Sequence, residues 1–124
     1  MTLNITPTSA SSLIIINISL CLGKTNDFGL YLTRNGTYIQ NTGFSSGYSR
    51  PECFVTTDEN TYLGTYGLVQ NNYTLYDTPN TTGVCTYEFG TWPIGGNTAE
   101  IYINRDSAGS GAGTSTMILT EIAG

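Results

Sequence analysis

The chain has no histidine, and its three cysteines, Cys21, Cys53 and Cys85, form no Cys-x-x-Cys pair. Without imidazole no conventional Ser-His-Asp triad can be assembled, and without paired thiols or histidines the usual zinc ligand sets are missing as well. Charge is nearly as scarce, at 10% of residues where about a quarter is usual. The four basic residues, Lys24, Arg34, Arg50 and Arg105, are scattered along a chain of net charge -5. Phosphate neutralisation needs clustered Lys and Arg, so nucleic acid is excluded as a partner. No apolar run approaches the roughly 20 residues needed to cross a bilayer, so membrane insertion is not expected. No positively charged segment precedes the one strongly apolar stretch, which argues against a secretory signal. No window shows a helical period.

An odd number of cysteines leaves at least one thiol free, as suits a chain that folds in a reducing cytosol, although one disulfide stays open. With 124 residues, residues 1–124 are expected to form a single domain that buries about 65 to 70% of its unfolded surface. The exterior has to be polar without being ionic, and Thr, Asn, Ser, Gly and Tyr are there to supply it. Such a surface loses little side-chain entropy on contact and makes neutral hydrogen bonds that salt barely screens. It suits an extracellular or assembled protein, the alternative being an ordinary soluble domain poor in Lys and Glu.

The strongest positive signal is Ser12 to Leu20, Ser-Leu-Ile-Ile-Ile-Asn-Ile-Ser-Leu. Its β-branched side chains favour a pleated strand. Ile14, Ile16, Ile18 and Leu20 share one wholly apolar face, while Leu13, Ile15, Asn17 and Ser19 share one that turns polar halfway along. This predicts a central strand with one face in the core. Ahead of it, Pro7 holds Thr6 extended. Behind it, Cys21 to Asp27 reads as a loop. Phe28 to Arg34 alternates as a half-buried strand, and Asn35-Gly36 marks a tight hairpin turn because both residues tolerate positive φ. Gln40 to Pro51 is a long aperiodic loop. Cys53 to Thr57 and Thr61 to Val69 read as strands, Tyr73 to Tyr76 as a short extended piece, and Gly83 to Phe89 as a strand followed by a turn at Trp92 to Gly96. In Ala99 to Asn104, Ala99, Ile101 and Ile103 are expected inward. Arg105 to Thr114 reads as a flexible Gly/Ser loop, and Ser115 to Ile122 as the closing strand. About eight strands separated by turns predict an all-β, antiparallel, jelly-roll-like sandwich.

Few groups offer chemistry. Gly109-Ser-Gly-Ala-Gly-Thr-Ser115 lacks the Gly-Lys-Ser/Thr ending of a phosphate loop. Asp106 and Asp58-Glu59 have no third carboxylate at a ligating spacing and read as solvated turn residues, so no metal is expected. Glu121 shares a face with Met117 and Leu119 and, if buried, needs a partner such as Arg34 or Arg105. Asn4, Asn17, Asn35, Asn72 and Asn80 match the glycosylation acceptor pattern, which an Asn/Thr-rich composition alone would produce. The more telling feature is nine tyrosines and one tryptophan. Those in loops, Tyr48, Tyr73 and Trp92, could stack on sugar rings or form a subunit interface. With Phe44, Arg50, Asn71 and Asn72 they make the candidate binding set.

Several runs carry a family likeness. These are Ile5-Thr-Pro-Thr-Ser-Ala-Ser-Ser-Leu-Ile-Ile-Ile, Leu32-Thr-Arg-Asn-Gly-Thr-Tyr-Ile39, Asp77-Thr-Pro-Asn-Thr-Thr-Gly, Thr86-Tyr, Ile103-Asn-Arg105 and Ser115-Thr-Met-Ile-Leu-Thr-Glu-Ile122. Over nearly the whole chain they resemble a domain of phages, especially cyanophages, that is similar to the C-terminal head of tail fibres and other virion appendages. A Lys is common in that family where Leu13 stands here. The resemblance implies a trimeric β-sandwich without enzymatic activity, catalytic residues or cofactor. It would be made in the host cytoplasm, mounted on the virion among other virion proteins and exposed outside the cell. As a fibre tip it would contact a host-surface glycan or protein; the alternative is a capsid decoration or cement protein. A third reading, from another class, is a polysaccharide hydrolase using Glu88 and Glu100 as paired carboxylates.

Overall fold

A computed structural model describes residues 1–24, 28–39, 55–56, 67–93, 101–106 and 108–124. Phe44, Tyr48 and Arg50, residues 61–66 of the strand expected from Thr61 to Val69, and Cys53 and Glu100 lie outside the described residues. The strands are β1 (Thr2–Ile5), β2 (Leu13–Lys24), β3 (Phe28–Arg34), β4 (Thr37–Tyr38), β5 (Val55–Thr56), β6 (Val69–Asp77), β7 (Cys85–Pro93), β8 (Ile101–Ile103) and β9 (Thr116–Ile122). They form two antiparallel sheets. One has the order β1-β7-β3-β4, with β5 also on β3; the other has β6-β2-β8, with β9 also on β2. The chain passes repeatedly from one sheet to the other, so the all-β sandwich expected from the turn spacing is what forms.

The expected central strand is the middle of one sheet. β6 runs along one side of it from Ile14 to Leu22, and its other side is shared by β9 (Leu13 to Ser19) and β8 (Leu22 to Lys24). Its even face is the floor of the core: Ile14, Ile16, Ile18, Leu20 and Leu22 are all buried, with Leu75 from β6 beside them. The facing sheet contributes Leu30 and Leu32 from β3 and Cys85, Tyr87 and Phe89 from β7. Fully burying one such aliphatic side chain is worth about 1.5 to 3 kcal/mol. The Asn35-Gly36 turn also forms as expected, with φ of 51° and 80° and Arg34 opposite Thr37. The Asn35 carboxamide accepts the Thr86 N–H, fastening the hairpin to β7.

Four expectations are corrected. Cys21 to Lys24 is strand, not loop, because β8 supplies a ladder for it. Gly23 is explained by proximity: a Cβ there would lie 2.6 Å from the Arg105 carbonyl oxygen. β6 extends far beyond Tyr73 to Tyr76, since its Gln and Asn residues, poor strand formers alone, pair with β2 over their whole length. Trp92 and Pro93 close β7 opposite Gly29 and Phe28, and proline is tolerated as the terminal residue, where its missing donor breaks no central ladder. Ile103 remains 40% exposed, because β8 is only three residues long and ends there.

Truncating Ile16 removes a fully buried side chain from the centre of this floor. Ile16→Ala is expected to lower unfolding free energy by about 2 to 5 kcal/mol. Asn17→Ala, one residue along on the opposite face, is expected to cost under about 1 kcal/mol, as urea titrations of both variants would measure.

Candidate functional site

The back of β2 is the side that the core leaves over. In register across the sheet, Tyr76, Ile15 and Thr120 form one row, Thr74, Asn17 and Ile118 the next, and Asn72, Ser19 and Thr116 a third. Gln70 stands opposite Cys21 beyond them. One end of this face is apolar, with Tyr76 57%, Ile118 56% and Ile122 50% exposed. The other end is a field of neutral amides and hydroxyls. Thr74 Oγ1 donates to Asn17 Oδ1 (2.9 Å), and Gln70 Nε2 donates to Ser19 Oγ (2.6 Å). Between the two ends lies a half-open depression of about 190 Å³, lined by Asn17, Ser19, Asn72, Thr74, Thr116 and Ile118 together with Ile18 and Tyr73. None of its described lining residues is ionic.

Three of the described carboxylates, Asp77, Asp106 and Glu121, are used elsewhere, as fasteners. At one end of the sandwich, Asp77 of β6 accepts hydrogen bonds from Arg34 Nη1 of β3 (2.6 Å) and Tyr87 OH of β7 (2.6 Å), joining the two sheets. Burial, reinforced by the hydrogen bond to Asp77 and its charge, pushes the Tyr87 phenol far above its ordinary range. Burial opposes the charge on Arg34, but the hydrogen bond and charge of Asp77 outweigh it and hold the guanidinium cationic.

Glu121 is half-buried, as its place beside Met117 and Leu119 suggests, but neither arginine reaches it. Arg34 is taken by Asp77, and the Arg105 guanidinium lies 4.4 Å from the centre of the Tyr102 ring. Glu121 Oε1 instead accepts from Ser12 Oγ (2.6 Å), Thr8 N (2.6 Å) and Thr8 Oγ1 (2.8 Å), tying the segment before β2 onto β9. These bonds, that from Ser12 foremost, hold its carboxyl below the usual glutamate value.

The described residues of Arg105 to Thr114 are likewise tied into the sandwich by hydrogen bonds. Arg105 and Ala112 bridge, Gly113 N donates to Asn104 O (2.9 Å), and Asp106 is 1% exposed rather than solvated. Its carboxylate accepts from Ser110 N (2.9 Å), Ser110 Oγ (2.9 Å) and Gly111 N (2.8 Å). Burial alone would raise its pKa, yet these bonds outweigh burial and lower it.

Of the described members of the candidate binding set, Asn72 and Tyr73 both line the depression on the back of β2, while Asn71 and Trp92 are not among its lining residues. Tyr73 is not in a loop: it sits on the core side of β6, half-buried against the hydrophobic cluster, where burial raises its phenol pKa. Asn71 shares that side, while Asn72 faces outward. Trp92 belongs to the other sheet. Of the proposed carboxylate pair, Glu88 is exposed on β7. Among the described residues no group of three His, Cys, Asp or Glu side chains could hold a metal ion, and Cys21 and Cys85 are buried free thiols. Sequence reasoning missed Asn17, Ser19, Thr74, Thr116 and Ile118 as neighbours. Their alternation was readable, but the register joining β2 to β6 and β9 spans about 50 to 100 residues of chain, and no local signal encodes it. No protein-family model matches this chain, and no curated protein is similar enough to count as a relative.

Two outcomes test the fasteners. Asp77→Ala strands the Tyr87 hydroxyl and the Arg34 guanidinium, and is expected to cost about 1 to 3 kcal/mol in chemical denaturation. Glu121 and Asp106 have folded pKa values below their unfolded ones, so their contribution is complete above the unfolded values, near about 4, and is lost as pH falls through the folded ones. Stability should therefore drop below about pH 4, and Glu121→Gln should make that drop shallower when unfolding is followed against pH.

Proposed function

We propose that this chain is a non-enzymatic phage virion domain, a trimeric fibre-tip module that attaches the particle to the host surface. The observation that carries the proposal is the uncharged back of the β6-β2-β9 sheet, where exposed Tyr76, Ile118 and Ile122 adjoin a field of amides and hydroxyls. Exposed apolar side chains of this size on a sheet that already has a filled core suit contact with another macromolecule. The likeness of the Asp77 to Gly83 and Ser115 to Ile122 runs to phage appendage heads supports the same reading. So does the use of Asp77, Asp106 and Glu121 as hydrogen-bonded fasteners, which leaves them committed to structure rather than to acid-base chemistry. In this role the domain would be made in the host cytoplasm and work outside the cell, joined to other virion proteins and presented to a surface glycan or protein.

Light scattering on the purified chain should give three times the monomer mass, and the chain should bind intact cells of aquatic bacteria and block adsorption of the phage that carries it. A stable monomer at high concentration that binds no cells would overturn the proposal. Finding the domain flat on the shell of a virion would replace it with a capsid decoration role.

A further inference from the structure

Accepting an attachment role, we infer that the depression on the back of β2 is a binding site for a single neutral sugar ring. Its chemistry points to that class. Asn17 Oδ1 accepts from Thr74 Oγ1, which leaves the Asn17 Nδ2 group without a partner among the described residues. The Asn72 carboxamide, one row along β6, has no side-chain partner among them either. An amide offers two donors and two acceptor lone pairs, and the Ser19 and Thr116 hydroxyls each add one donor and further acceptors. Vicinal sugar hydroxyls, each donor and acceptor at once, are matched by such an alternating set. A carboxylate or phosphate would find no cation here among the described residues, because no described Lys or Arg lines the depression.

Size and shape restrict the ligand further. At about 190 Å³ the depression falls below the roughly 300 to 1,000 Å³ of drug-sized sites, so it accommodates one ring rather than an extended chain. Ile118, 56% exposed on its β9 wall, gives the C–H face of a ring an apolar surface, beside the polar row formed by Thr74 and Asn17. The whole wall is carried by hydrogen-bonded strands rather than loops, so the groups are held in place before the ligand arrives. Because none of the contacts is ionic, binding should be nearly independent of salt.

The experiment is a heteronuclear NMR titration of the full chain with methyl glucoside, methyl galactoside and methyl mannoside, with N-acetylneuraminic acid as the charged comparison. The expected result is millimolar binding of at least one neutral glycoside, with shifts concentrated at Asn17, Ser19, Asn72, Thr74, Thr116 and Ile118. Binding should weaken at least tenfold in Asn72→Ala and in Ile118→Lys, with unchanged melting temperature for Asn72→Ala, whose amide holds nothing else. It should be the same in low and high sodium chloride. Absence of shifts at these residues with all three glycosides, shifts concentrated elsewhere, preference for the charged sugar, or full affinity in Asn72→Ala would each overturn the site. Cell attachment measured in parallel separates the two ideas: attachment that survives Asn72→Ala sinks this site alone, whereas no attachment by the unaltered chain sinks the broader role.

Discussion

Everything in this sandwich is referred to the pairing of β2 with its neighbours on both sides. A strand exposes alternate side chains to opposite faces, so a shift of register by one residue would bring Asn17 and Ser19 into the core in place of Ile16 and Ile18. The cost of burying that amide and hydroxyl without partners disfavours every odd-numbered shift of register. β6 and β9 then inherit their alignment from β2: Leu75 and Leu119 stand opposite Ile16 on the core side, as Thr74 and Ile118 stand opposite Asn17 on the outer side. The composition of the exposed face is thus a by-product of how the core is filled.

With so few ionic residues, where they are spent matters. Asp77 gathers a guanidinium and a phenol from the opposite sheet, Asp106 closes the turn between β8 and β9, and Glu121 holds the chain that enters β2. In the last two cases the carboxylate is satisfied by neutral donors, which stabilise its charged form without requiring a second buried ion. All three lie at strand ends or in connections. The middle of the sheet is left to amides, hydroxyls and aliphatic groups, and it stays uncharged for that reason.

The fold was legible in the sequence to the extent that its signals were local. The alternation through Ile14, Ile16 and Ile18 and the turn at Asn35-Gly36 are both written in adjacent residues, and both appear where they were expected. What misled was composition judged without its partners. Arg105 to Thr114 looks like a flexible linker, yet its glycines let the backbone pass close to Cys21 and Asp106: a Cβ on Gly113 would collide with the Cys21 sulfur and one on Gly111 would crowd the Asp106 carboxylate. Trp92-Pro looks like a turn, yet β3 pairs with it. The candidate face was less legible still. Its polar residues come from three strands far apart in the chain, and of the aromatics expected in loops Tyr73 and Trp92 lie on different sheets, with Tyr73 turned to the core.

The two ends of that face impose different requirements on whatever meets it. Around Ile122 and Tyr76 the exposed groups are apolar, so contact there releases water and grows with the area covered, which favours a broad and close-fitting surface such as another protein subunit. Around Asn17 and Asn72 the groups are amides and hydroxyls already well solvated, so a ligand gains only by replacing each lost water contact with a directed one. A small polyhydroxylated ring, each of whose hydroxyls both donates and accepts, can do this. If the proposed trimer closes over the apolar end, the polar end would lie beside the seam, where each copy presents the same amides and three weak contacts act together. Multivalency of that kind is how millimolar single sites hold a particle to a repetitive surface, and it requires no charge on either partner.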